Sequence, residues 1–169
     1  MAPQTDLKEV VDSEIKEWHF HIYFHQRNAA EHHAALELRD AVLRLRRDGA
    51  FVAVPLFRVN TDPIGPHPCG SYEIWCPTES FASLYSYLCV NRGDLRDHEL
   101  RAAWIGPSFP LDLTLLPRLS NEVPLQYPSL QLGYSSTNPK ISLEDRKKVG
   151  AHVEHVLRSE KEAARAPTD

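Results

Sequence analysis

The stretch KEWHFHIYF, residues 16–24, decides the fold because its side chains alternate strictly. One set is apolar and consists of Trp18, Phe20, Ile22 and Phe24, whereas the residues between them are His19, His21 and Tyr23. A period of two residues is typical of a β-strand with one buried face. We therefore predict a strand whose apolar face lies under helices and whose histidine face looks toward solvent or a cleft.

The residues that follow predict an α+β order. Asn28 and Glu31 form a capping box at the start of a helix that Gly49 ends. Residues 51–59 and 71–76 predict two further strands, and residues 78–90 predict a second helix. Pro55 places the second strand at an edge or a bulge. This βαββα order predicts a ferredoxin-like sandwich, with helices on one face of a mostly antiparallel sheet.

A fourth strand should follow, but the pattern does not provide a clear one. Residues 91–106, NRGDLRDHELRAAWIG, run from a turn into a short helical stretch with Leu100, Ala103 and Trp104 on one side. The last strand is therefore expected to be missing or displaced. Residues 107–139 hold six prolines and predict irregular structure, of which residues 111–116 are the part most suited to packing or pairing. Ser142 and Asp145 cap a predicted C-terminal helix.

The composition and charge of the chain limit the classes of binding partner and the cellular compartment that we expect. A chain of 169 residues with a formal net charge of -4 has no dense cluster of basic residues outside one helix, so nucleic acid is not an expected partner. Its longest apolar run, residues 50–57, is far shorter than the roughly 20 residues of a membrane span. The acidic N-terminus resembles no signal or transit peptide, and the three cysteines show no CxxC spacing. We expect a cytoplasmic protein with reduced, buried thiols.

Four histidines are the candidates for chemistry. His19 and His21 lie about 6.6 Å apart on one face of the predicted strand, a separation that two imidazoles can close on one metal ion. The alternative is a pair of exposed histidines without a role. His67 is held between Pro66 and Pro68, which suits a ligand or an acid/base group but is equally compatible with a turn in which the histidine is incidental. His98 is predicted to begin a short helix, whose positive end would favour a neutral imidazole.

Three motifs taken together resemble the DOPA 4,5-dioxygenase family of fungi and bacteria. They are WHFHIYF at residues 18–24, GPHPCGSYEIWCP at residues 65–77, and NRG followed by RDHELRAAWIGPSFPLDLTLLP at residues 91–117. The resemblance covers residues 16–117, leaving an N-terminal extension of residues 1–15 and a Pro-rich segment with a helix at residues 118–169. It implies a ferredoxin-like fold and a non-haem iron enzyme that uses O2 to open a catechol ring. For L-DOPA, extradiol 4,5-cleavage leads to seco-DOPA and toward betalain-type pigments.

The resemblance also implies roles for particular residues. His19 and His21 match the family's HxH motif, His67 its GPHP motif and His98 its DH motif. Fe(II), or Zn or another divalent ion in the isolated protein, would be held by His19, His21 and His67. His67 or His98 would move protons. Glu73 is the nearest candidate for a carboxylate ligand, and the expected partner is a small catechol.

One departure from the family pattern leaves a second hypothesis open. Family members carry a strand and an HP motif between the NRG turn and the DH motif, whereas here only four residues separate Gly93 from His98. The comparison with the family pattern therefore predicts that a strand and a histidine have been lost. The alternative function is a non-catalytic ferredoxin-like binding or dimerisation module. Its open sheet edge would pair with residues 111–116 or with a second copy of the chain, as in a homodimer.

Overall fold

The computed structural model describes residues 2–93, 96–99, 104–105, 127–138, 142–157 and 159. The chain divides into two compact units, one of residues 15–136 and one of residues 1–14 with 137–169. The first unit contains the sheet and two long helices. The domain boundaries expected from the sequence, at residues 15/16 and 117/118, stay a prediction. Within the described residues, no helix is long and apolar enough to cross a membrane.

The first unit is an antiparallel five-stranded sheet with helices in the connections. Its elements are β1 Glu17–Phe24, α2 Ala29–Arg47, β2 Val54–Pro55, β3 Gly70–Pro77, α3 Thr78–Asn91, β4 Arg96–Glu99 and β5 Trp104–Ile105. The strand order is β2-β3-β1-β4-β5, with every neighbouring pair antiparallel. The α+β, ferredoxin-like class predicted from the sequence is confirmed.

The core lies on the apolar face of β1 that the alternation predicted. Phe20, Ile22 and Phe24 are at most 1% exposed, and they pack with residues of β3 and of both helices. The β3 members of the cluster are Tyr72, Ile74 and Cys76, and the helix members are Ala35, Leu38, Val42, Leu84 and Leu88. Because both central strands bury this face, their opposite face is left for polar groups.

Helix boundaries follow the capping residues. The side chain of Asn28 accepts hydrogen bonds from the backbone N–H groups of Ala30 and Glu31, which confirms the predicted start of α2. Gly49 follows the helix with a φ of +88°, as an end signal requires. In the second unit, Ser142 caps α4, Leu143–Leu157, by accepting a hydrogen bond from the backbone N–H of Asp145. That unit also contains the short helix α1, Leu7–Asp12, for which the sequence analysis made no prediction.

The second strand is much shorter than predicted. Of residues 51–59, only Val54–Pro55 form a regular strand, which pairs with β3 at the edge of the sheet. Pro55 has no N–H to donate, so an edge position suits it. Pairing continues irregularly, since the backbone N–H of Leu56 donates to the carbonyl of Glu73 and Asn60 forms an isolated bridge with Ser71.

The last strand of the sandwich is present, which corrects the expectation that it is missing or displaced. Residues 96–99 form β4 beside β1, and Trp104–Ile105 form β5 beside β4, so Trp104 is not in the predicted helical stretch. Leu100 and Ala103, the other two residues of that prediction, lie outside the described residues. His98 thus lies in a strand and does not begin a helix. Backbone pairing with the outer edge of β1 outweighs the local helical pattern, because an unpaired edge of a central strand is unfavourable. The open edge that the dimerisation hypothesis needed is occupied, and residues 111–116 lie outside the described residues.

The site depends on the rigidity of the two central strands, which a core substitution should test. We expect Ile74→Ala to lower the free energy of unfolding by about 3 kcal/mol, because the side chain is fully buried in the core cluster. Urea unfolding followed by circular dichroism measures the change. Val90→Ala is the control, because Val90 is 78% exposed, and its effect should stay below about 0.5 kcal/mol. Equal effects of the two substitutions would contradict this description of the core.

Candidate active site

Eight residues of β1 and β3 form the surface opposite the core, called here the histidine face. They pair across the two strands as Glu17 with Pro77, His19 with Trp75, His21 with Glu73, and Tyr23 with Ser71. The face is far less open than the sequence analysis expected. His19 is 3% exposed, and Trp75 and Tyr23 are each 1% exposed. Polar groups this deeply buried need partners. His19 bonds to Glu73 within the face, whereas Tyr23 and Glu17 contact His67 and Tyr134, which lie outside it.

The carboxylate of Glu73 joins the two strand histidines. Its Oε1 atom accepts a hydrogen bond from Nδ1 of His19, and its Oε2 atom lies 4.0 Å from Nε2 of His21. Burial alone would raise the pKa of Glu73. The hydrogen bond with His19 and the nearby imidazoles of His21 and His67 outweigh that effect, so the pKa lies below its ordinary value. The carboxylate is ionised at neutral pH and can only accept, so Nδ1 of His19 carries a proton.

His67 reaches the same cluster from the loop before β3. Ile64 and His67 exchange two backbone hydrogen bonds of 3.1 Å, which close a turn at Gly65 and Pro66. Gly65 has a φ of +54°, a conformation that glycine adopts at little cost. The turn brings the His67 ring to a centroid distance of 4.9 Å from His21. The two-proline setting therefore serves to place the histidine.

The hydroxyl of Tyr23 contacts the ring of His67, a contact that was not predicted from the sequence. The Tyr23 hydroxyl lies 2.7 Å from Nδ1 of His67, within hydrogen-bond distance. Burial, with a smaller effect of Cys69, raises the pKa of Tyr23 well above its ordinary value, so the phenol keeps its proton. The alternating pattern of residues 16–24 could have indicated this contact, because it places Tyr23 two residues after His21 on the same face of the strand.

A short segment covers one end of the histidine face. This cover segment, residues 127–136, contains two 3₁₀ turns, Pro128–Leu130 and Gly133–Ser135. The backbone N–H of Tyr134 donates to Oε1 of Glu17 at 3.2 Å, and the Tyr127 ring meets Trp75 edge-on at a centroid distance of 5.1 Å. A Cβ atom at Gly133 would come within 2.5 Å of the Glu17 side chain, so only glycine allows this approach.

The structure thus brings together most of the residues that the sequence analysis selected. His19, His21 and His67 form one group of contacts with Glu73. The backbone of His98 lies next to this group, because its Cα partner in the sheet is His21. Within the described part of the chain, no three histidine, cysteine or carboxylate side chains are arranged around one point as metal ligands would be. The donors are instead bonded or stacked with one another.

Comparison with known proteins assigns the family. The model of the Dopa 4,5-dioxygenase family matches residues 18–115, which contain all four selected histidines and Glu73. The chain belongs to the DOPA 4,5-dioxygenase family. The family assignment made from the three sequence motifs is confirmed.

Individual relatives of this DOPA 4,5-dioxygenase family member add detail. A DOPA 4,5-dioxygenase of Amanita muscaria is 72% identical over 177 residues, covering 98% of this chain and 78% of the relative. That alignment is longer than this chain, so the relative has residues within it that this chain lacks. An uncharacterized 21.2 kDa protein of Botryotinia fuckeliana is 33% identical over 151 residues. That alignment covers 72% of this chain and 80% of the Botryotinia protein.

A solved structure shares the fold. The crystal structure of a candidate dioxygenase from Nostoc punctiforme superposes with a TM-score of 0.52 at 24% identity. The superposition covers 66% of this chain and 96% of the Nostoc chain. A third of this family member therefore has no counterpart in that smaller protein.

The contact between Tyr23 and His67 can be tested with a matched pair of substitutions. We expect Tyr23→Phe to lower the free energy of unfolding by about 1 kcal/mol, because one hydrogen bond is lost and the ring stays. It should also shift the ring-nitrogen NMR signals of His67. Tyr72→Phe is the control, since its equally buried hydroxyl donates to the carbonyl of Ala35 on the opposite face. That variant should lose similar stability and leave the His67 signals in place; a shift in both variants would refute the contact.

Proposed function

We propose that the chain is an extradiol dioxygenase that cleaves the catechol ring of L-DOPA between carbons 4 and 5, with O2 as the co-substrate. The product would be seco-DOPA, the starting point of betalain-type pigment chemistry. The observation that carries the proposal is the contiguous group of His19, His21, His67 and Glu73 on one sheet face. Its support from the comparisons is the family match and the relative named DOPA 4,5-dioxygenase at 72% identity.

The donor set suits Fe(II). Imidazole nitrogens are common ligands of iron, and the group supplies three histidines, while its carboxylate, Glu73, is bonded to His19. In a neutral imidazole whose Nδ1 atom donates to Glu73, the lone pair is on Nε2, and this atom of His19 would bind the metal. A ligand histidine commonly donates its other ring nitrogen to a carboxylate in this way. When bound, iron would supply adjacent positions for the catechol oxygens and O2.

Each residue then has a distinct task. His19, His21 and His67 would hold the metal, and Glu73 would fix the tautomer and ring orientation of His19. Tyr23 would fix the orientation of His67. His98, whose backbone lies beside His21, would accept a proton from a catechol hydroxyl and return it later, because imidazole titrates near neutral pH.

The alternative of a non-catalytic binding or dimerisation module is not favoured. Its main support was an open edge beside the central strand, and β4 occupies that edge. The Amanita relative also carries the name of an enzyme and matches nearly the whole chain.

We propose a cytoplasmic location for the protein. The three cysteines support it, because none of them forms a disulfide, as expected in a reducing compartment. Cys69 and Cys76 are buried, whereas Cys89 is exposed and corrects the expectation that all three thiols are buried.

Metal binding can be tested without any substrate. We expect His19→Ala and His21→Ala to lose bound iron, measured by plasma emission spectroscopy after anaerobic loading. Glu73→Gln should keep the fold and lower metal affinity roughly tenfold to a hundredfold, because it orients a ligand. His33→Ala is the control, since His33 is exposed on α2 and pairs with Glu37. Wild-type iron content in the first two variants would overturn this ligand set.

Ring cleavage can be tested by admitting air to the iron-loaded protein with L-DOPA. We expect the wild type to form a yellow product that absorbs visible light, and His67→Ala to form none. His33→Ala should behave as the wild type. Absence of colour and of O2 consumption in the wild type would refute the proposed activity.

A further inference from the structure

The indole of Trp75 carries a buried N–H group on the histidine face. Trp75 is 1% exposed, and its Nε1 atom has no hydrogen-bond partner among the residues that the structure describes. Buried polar groups in folded proteins nearly always have a partner, because an unsatisfied one is unfavourable. An indole N–H can only donate. The position therefore calls for an acceptor.

Tyr127 provides a second donor beside it. Its ring stands edge-on to Trp75 at 5.1 Å with an interplanar angle of 60°. Burial and, to a lesser degree, the charge of Glu73 raise the pKa of Tyr127, so the phenol keeps its proton. In the described part of the chain no residue is hydrogen-bonded to its hydroxyl. The rings that carry the indole N–H and the phenol O–H are thus in edge-on contact at one end of the site.

Trp75 lies at one end of the proposed metal-binding group, beside His19 and away from His67. Trp75 pairs with His19 across the strands, whereas His67 and Tyr23 lie two register steps further along. Tyr127 belongs to the cover segment, which follows the family-matched residues 18–115. A catechol held at the histidines would extend its side chain toward one end of the face, and the covered end offers hydrogen-bond donors.

We propose that Trp75 and Tyr127 form a subsite for the side-chain carboxylate of the substrate, so that the enzyme selects catechols that carry a carboxylate. The inference rests on the proposed function and adds a specificity determinant to it. A carboxylate has lone pairs enough to accept from both donors. Glu73 accepts a hydrogen bond from His19 and lies near the imidazoles of His21 and His67, which offset part of its negative charge.

Three catechols and one hydroxyl deletion test the subsite. L-DOPA and 3,4-dihydroxyphenylpropionate carry the carboxylate, whereas dopamine does not. We expect Tyr127→Phe to raise KM for the first two roughly tenfold, as for loss of a hydrogen bond to a charged group, with kcat unchanged. KM for dopamine should not change. Tyr134→Phe is the matched control, because Tyr134 is on the same segment with its side chain 61% exposed, and it should change none of the three.

A binding measurement separates this inference from the proposed activity. Calorimetry under nitrogen on the iron-loaded protein records binding without turnover, and it should show the same carboxylate-dependent loss in Tyr127→Phe. If the wild type cleaves L-DOPA and Tyr127→Phe affects all three catechols equally or none, the subsite is refuted and the activity stands. If carboxylate-dependent binding is lost in the variant but no ring is cleaved, the activity is refuted and the subsite stands. Failure of both measurements refutes both.

Discussion

The antiparallel register between β1 and β3 is the constraint on which the rest of the structure depends. It pairs His21 with Glu73 and Phe20 with Ile74, so the same alignment builds the polar cluster on one face and the core on the other. A shift of one residue would turn every side chain of a strand to the opposite face. Burial of the aromatic core therefore fixes the positions of the histidines and the carboxylate.

The polar cluster is stable because its charges and donors are matched locally. The carboxylate of Glu73 would be unfavourable in such a buried place by itself. The hydrogen bond with His19 and the adjacent imidazoles keep it ionised. A carboxylate surrounded in this way keeps His19 in one tautomer, and Tyr23 limits the rotation of His67. The group is therefore ordered before any ligand arrives.

Local sequence patterns predicted those helices and strands whose conformation is determined by residues close together in the sequence. The alternation of residues 16–24 and the capping box at Asn28 depend on neighbouring residues, and both are confirmed. β4 could not be predicted because its four residues gain their strand conformation from pairing with β1. The contact of Tyr127 with Trp75 joins residues far apart in sequence, in a region where prolines remove any periodic pattern. The candidate histidines were identified by motif, whereas their supporting partners required the three-dimensional structure.

The short turn that carries His67 makes the position of its imidazole independent of most of the preceding loop. Both of its backbone hydrogen bonds join Ile64 and His67, and only Pro68 and Cys69 lie between His67 and the start of β3. The position of this ring therefore depends on residues 64–70 and on Tyr23. Residues 61–63 lie between the Asn60–Ser71 bridge and this turn, so an insertion there would leave the imidazole in place. A change in the length of the loop at that point would therefore preserve the contacts of His67 with Tyr23 and His21.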